Sequence, residues 1–177
     1  FSPDGTRIAS CGADKYVKTF DLARGELVRN YEGHTDHVLG VAWKADGKVL
    51  ASCGADNVIR VWNADTGDQT RTIAGFTKQV TSIQFVGETV NTVSGSGDKT
   101  VHLHRTDNGQ NLRTLAGATD YVFSVSVTPD GRTIVAGGYD SVLRLWNGTN
   151  GQVLHSLAPP KPPGDIGAAT VAASPGV

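Results

Sequence analysis

The sequence has no methionine, so Phe1 is not a translational start. The expectation is a chain that was processed or cut from something longer, and the repeat described below favours the second. Cysteine is scarce too, two among 177 residues, which is too few for a disulfide framework. Cys11 and Cys53 stand one repeat apart and read as small, buried, reduced thiols. A disulfide would require a closer approach than equivalent positions of stacked units give, and the redox compartment stays undetermined. No apolar run reaches the roughly 20 residues that a membrane-spanning helix needs. The opening Phe1-Ser2-Pro3-Asp4-Gly5 is turn chemistry without a signal-peptide pattern. Neither sign of charge dominates, since 16 basic and 17 acidic side chains leave a net charge of -1. That balance gives no electrostatic case for nucleic acid or an anionic membrane as partner. No stretch carries the apolar spacing of an amphipathic helix.

Glycine, by contrast, is abundant at 22 residues, and it falls in register. Asp14, Asp56, Asp98 and Asp140 follow one another at a step of 42 residues, as do Gly25, Gly67, Gly109 and Gly151. A second glycine series, Gly33, Gly75 and Gly117, is followed two residues on by Thr35, Thr77 and Thr119. Large apolar residues recur at Phe1, Trp43, Phe85 and Val127. Chance does not hold so many series in phase, so the chain is read as four copies of one unit.

Each unit reads as strands. In residues 38–43 period-two alternation sets Leu39, Val41 and Trp43 on one face, with copies at Thr81, Ile83, Phe85 and at Phe123, Val125, Val127. Turn residues follow at Ala45-Asp46-Gly47 and Pro129-Asp130-Gly131. A second strand is expected over Val49–Ser52, then a tight turn over Cys53–Asn57 and a third strand over Val58–Asn63. A turn at Ala64–Gly67 and a fourth strand over Gln69–Ile73 complete the unit. Four short antiparallel strands make a small sheet with two apolar faces, and radial stacking covers both faces with short edges. The fold class is therefore all-β, a propeller with each unit a blade.

At this point the residues resemble the WD40 repeat family. The second unit is the fullest copy, with Gly33-His34, Ala45-Asp46-Gly47, Leu50-Ala51-Ser52, Asp56 and Ile59-Arg60-Val61-Trp62-Asn63, ending Trp-Asn where the family's name calls for Trp-Asp. The resemblance covers residues 1–157, in blades of about 1–31, 32–73, 74–115 and 116–157. It implies a hydrogen-bonded structural tetrad inside a blade, here His34, Ser52, Asp56 and Trp62. The other units depart from it. The first has Ser10, Asp14 and Phe20; the third has Phe76, Ser94, Asp98 and His104; the fourth has Ala118, Ala136, Asp140 and Trp146. Only the turn aspartate is common to all, so Asp14, Asp98 and Asp140 are assigned to holding the turn backbone.

The resemblance implies a closed ring of about seven blades, within a general range of roughly 4–8. Four blades make either part of a longer propeller or half of an eight-bladed ring formed by a homodimer, which would cover both raw faces. Residues 158–177 hold five of the seven prolines and read as a linker or disordered tail.

Catalytic and metal chemistry finds little support. His102 and His104 alternate in a strand and point the same way, but two ligands make a poor zinc site, so no metal and no cofactor is expected. Gly95-Ser96-Gly97-Asp98-Lys99-Thr100 lacks the helix a phosphate loop needs. No Gly-x-Ser-x-Gly elbow is present. Asn147-Gly148-Thr149 fits a glycosylation sequon, relevant only to a secreted protein. The resemblance instead implies a protein-interaction scaffold that binds other proteins or peptides through the loops joining strands d to a and b to c. The candidate contact residues there are Tyr16, His37, Gln79, Tyr121 and Tyr139, of which Tyr16, His37, Tyr121 and Tyr139 read as exposed amphipathic anchors. The alternative is a propeller domain of a larger, bacterial-type multidomain enzyme or ligand-binding protein whose active residues lie outside this chain.

Overall fold

A computed structural model describes residues 1–160, and among the described residues there is no helix. The first sheet runs β1 (Arg7–Cys11), β2 (Val17–Asp21) and β3 (Glu26–Tyr31). The second runs β4 (Val38–Trp43), β5 (Val49–Gly54), β6 (Ile59–Asn63) and β7 (Gln69–Ile73). The third runs β8 (Val80–Phe85), β9 (Asn91–Ser96), β10 (Val101–Arg105) and β11 (Asn111–Leu115). The fourth runs β12 (Val122–Val127), β13 (Thr133–Gly138), β14 (Leu143–Asn147) and β15 (Val153–Leu157). Each sheet is an antiparallel meander in chain order, and the first has three strands where the others have four. The innermost strands β4, β8 and β12 adjoin in turn, with β1 against β4. The arrangement is that of WD40-type propeller blades, which among the described residues form an open series with the ring not closed.

Apolar clusters lie between neighbouring sheets. Val17 and Tyr31 of the first sheet pack with Leu50, Trp62 and Ala64 of the second. Ile59, Val61 and Ile73 of the second meet Phe76, Val80, Ile83 and Phe85 of the third. Val101, Leu103 and Leu115 meet Val125, Ile134 and Trp146. A wholly buried Leu50 or Ile59 contributes about 1.5–3 kcal/mol relative to leaving it exposed.

Three expectations are corrected. Simple alternation fails in the innermost strands, because a β-bulge follows their first residue: pairing runs Val38↔Gly54 then Gly40↔Cys53, and Val122↔Gly138 then Ser124↔Gly137. The extra residue shifts the phase. Val38, Val80 and Val122 are thereby turned inward while Leu39 and Phe123 are exposed. The second strand also outlasts its expected end. β5 continues through Cys53 and Gly54, since a Cβ on Gly54 would sit 2.7 Å from the His37 carbonyl oxygen, an approach only glycine allows. Both cysteines are free; Cys53 is buried, which pushes its thiol well above the ordinary value, whereas the expected burial of Cys11 is corrected, for it is only half-buried.

A contact absent from the sequence reading links the outer strands. Arg29, Arg71 and Arg113 reach across to the β-turn of the next sheet. They donate to the carbonyls of Thr66 (2.9 Å), Asp107 (2.7 Å) and Asn150 (2.9 Å). Their stems lie over Gly67, Gly109 and Gly151, and a Cβ on Gly67 would come within 2.7 Å of Arg29 Cδ. The innermost strands are also latched. Thr81 Oγ1 donates to the Val122 carbonyl (2.6 Å), and the Gln84 carboxamide oxygen accepts from the Val127 N–H (3.2 Å). Of the Pro-rich stretch at 158–177, residues 158–160 continue without regular structure, and the rest lies outside the described residues.

Candidate functional site

In the second sheet, His34 precedes β4, Ser52 is mid-β5, Asp56 follows β5 and Trp62 is in β6. The turn carboxylate stands 2.9 Å from His34 Nδ1, and His34 Nε2 is 2.8 Å from Ser52 Oγ. Ser52 Oγ accepts the Trp62 indole N–H at 2.8 Å. Asp56 also accepts the Thr35 N–H at 3.1 Å. Burial holds the His34 pKa below its ordinary value, opposed by the hydrogen bond and charge of Asp56. Every polar atom of this buried chain is used internally, so its chemistry is cohesive.

The other sheets solve the same problem differently. Asp140 accepts the Thr119 N–H (2.9 Å), the Val142 N–H (3.1 Å) and the Arg144 guanidinium (2.6 Å). Burial resists its ionisation, but these donors outweigh it and hold its pKa at about 2. Asp14 accepts from the Tyr16 N–H at 3.3 Å and Asp98 from the Thr100 N–H at 3.1 Å. The residue after each turn aspartate is left-handed without being glycine: Lys15, Asn57, Lys99 and Ser141 have φ of 60–74°. In the third sheet Phe76 stands edge-on to His102, ring centroids 4.7 Å apart, and His102 stacks on His104 at 5.6 Å. Thr100 Oγ1 engages His102 Nε2 at 2.6 Å. Buried Ser94 Oγ and His104 Nδ1 both lack partners among the described residues. Burial, then the neighbouring His102, lowers the His104 pKa to about 4. Among the described residues, no group of three or more His, Cys, Asp or Glu is placed to hold a metal ion.

The five candidate contact residues occupy loops at one end of the sheets. Within each complete sheet one backbone bond clamps the loop entering the innermost strand to the following b–c loop. These are Ala55 N–H to His37 O (2.8 Å), Gly97 N–H to Gln79 O (2.9 Å) and Tyr139 N–H to Tyr121 O (2.8 Å). Val38 N–H to Gly12 O (3.1 Å) ties in the loop that carries Tyr16. Tyr139 is 70% exposed and His37 is exposed, while Gln79 is half-buried. The expected exposure of Tyr121 and Tyr16 is corrected, for both are half-buried. The Tyr121 ring lies against Gly97, whose Cβ would meet it at 2.5 Å, with Lys78 Nζ 5.6 Å from its centroid. Lys18 Nζ lies 5.9 Å from the Tyr16 ring centroid. Phe123, unrecognised from sequence, is 52% exposed and meets the Tyr139 ring edge-on at 6.1 Å. Only the bulge brings it there, and no residue type announced that bulge.

A family model described as "WD domain, G-beta repeat" matches residues 1–21, 25–63 and 109–147, together more than half of the chain. The stretch it passes over contains the Phe76, His102 and His104 unit. A curated relative, WD repeat-containing protein 1 of Xenopus tropicalis, is 45% identical over 49 residues, 26% of this chain. The chain spans only 8% of that protein's length.

Proposed function

We propose, for a chain that belongs to the WD domain, G-beta repeat family, that it is a protein-binding platform whose partner docks on the clamped loop end of the sheets. Repeats of this family are generally protein-interaction scaffolds and typically not enzymes. The observation that carries the reading is the backbone clamp joining residues 37 to 55, 79 to 97 and 121 to 139. It frees the side chains of His37 and Tyr139 from holding the loops, and they differ from copy to copy. The contact set is the exposed Tyr139 and His37 together with the half-buried Gln79, Tyr121 and Tyr16. Rigid aromatic anchors of this kind supply contact area at low entropic cost.

The test is a pair of substitutions, Tyr139→Ala and His37→Ala, in the full chain, with far-UV circular dichroism as the check on folding. Proteins retained by the immobilised wild type are expected to be lost or reduced at least about tenfold with the double variant, a change of about 1.4 kcal/mol. Undiminished capture by a correctly folded double variant would overturn the proposal.

A further inference from the structure

The seam between the second and third sheets carries a groove of about 400 Å³, at the strand ends opposite the clamped loops. Both sheets line it, and each packs against a further sheet on its other face. Val49 and Val61 of the second sheet and Val90 of the third give it apolar walls, and the buried Trp62 lines it as well. The volume lies within the roughly 300–1,000 Å³ usual for ligand pockets.

The repeat explains why an apolar groove opens at this seam. Val49 and Val90 stand where the preceding seam has Arg7 and Lys48 and the following seam has Asn91 and Arg132. Thr70 is short where Val28 and Leu112 share its register. Ile73 is short as well, whereas Tyr31 at the same register reaches across its seam to the Ala64 carbonyl at 2.7 Å. The recess at the preceding seam is lined instead by charged groups, Asp4, Arg7 and Asp65 among them, with Arg7 3.4 Å from Asp65.

The charges around the groove are unevenly matched. Asp46 is held by Lys44 Nζ at 2.6 Å, and Asp107 accepts from Arg105 Nε at 2.9 Å. Lys48 is exposed and Arg71 donates to a backbone carbonyl, and neither has a carboxylate partner among the described residues. Apolar walls beside two uncompensated cations complement an apolar side chain with carboxylates next to it.

We propose that this groove is a docking site for an acidic peptide segment of a partner protein. A large apolar side chain of the segment enters between Val49 and Val90, and Asp or Glu residues beside it meet Lys48 and Arg71. The site is separate from the loop end and does not depend on binding there.

Random heptapeptides displayed on phage and panned on the immobilised full chain are expected to enrich sequences with a large apolar residue flanked by Asp or Glu. The enriched peptide, synthesised and labelled, is expected to bind about tenfold or more weakly to Thr70→Leu, which narrows the groove, and to Lys48→Glu, which reverses a charge beside it. Both positions are exposed, and circular dichroism checks the fold of each variant. The double variant Tyr139→Ala, His37→Ala is expected to bind this peptide as the wild type does. Panning that yields no acidic-apolar enrichment, or unchanged binding by either folded groove variant, overturns the proposal. Loss of binding in the loop-end double variant overturns it too. Should Thr70→Leu fail to fold, Lys48→Glu decides.

Discussion

His104 shows how one side chain can change what a blade does with its interior. It stands at the register of Trp62 and Trp146, and its shorter ring leaves both its own Nδ1 and Ser94 Oγ unpaired among the described residues. Its pKa of about 4 lies below the unfolded value of 6.5, so between those values the unfolded chain binds the extra proton. Stability is therefore fully present above about pH 6.5 and is lost as pH falls toward 4. His34 and His102 are lowered too and act in the same direction. The depressed Asp140 carboxyl adds a separate loss only below pH 3.8, as pH falls toward 2. Urea titrations are expected to show unfolding free energy falling by on the order of 2–3 kcal/mol from pH 7 to pH 4. His104→Phe, the type found at Phe20, should flatten a substantial part of that slope. An unaltered slope would remove His104 from the account.

Among the elements, the turns between third and fourth strands bind one sheet to the next. Gly67 sits at φ 84° with Arg29 Cδ 2.7 Å from its would-be Cβ, whereas Gly25 has a similar φ of 68° and open space above it. Gly25→Ala should therefore cost about 1 kcal/mol, the ordinary left-handed penalty. Gly67→Ala should cost roughly 2 kcal/mol or more, since the arginine stem must also be displaced. Adding Arg29→Ala to Gly67→Ala should show coupling of about 1 kcal/mol in a double-mutant cycle, and additivity would show that the stem is not the cause. This scale is also where sequence reading succeeded and where it stopped. The glycine and aspartate series located the turns because only a few residue types suit those backbones. The arginine series was equally periodic, but an exposed-looking basic residue on an outer strand carries no sign of what lies in the next sheet. The phase slip after Val38 and Val122 was illegible for another reason. Its cause is an extra residue in the ladder, and Leu39 and Phe123 are as apolar as the residues that face inward. At the loop end, the positions were legible from the repeat, but exposure was not. Tyr121 and Tyr139 look alike as letters, and only the neighbouring Gly97 explains why one lies down and the other stands out.

For the whole molecule, a sheet's burial depends on how many neighbours it has. β9 and β10, in a sheet flanked on both faces, are buried along almost their whole length, whereas every residue of β15 is exposed. Stability in such a series is close to a sum over units and their contacts. Hydrogen exchange should therefore release the β15 amides roughly 100-fold or more before those of β9. Uniform protection across the four sheets would mean that the series opens as a single cooperative body.

The loop clamps carry a further consequence for how such a surface changes over generations. Each clamp is made from a carbonyl and an amide that every residue type except proline can offer. Substitution at positions 37, 79, 121 or 139 therefore leaves the frame's own bonds in place. A recognition face on this frame can be rewritten one letter at a time, with each trial side chain displayed from an unmoved backbone. Diversity of partners within one architecture then requires no new fold, only new side chains at the same few addresses.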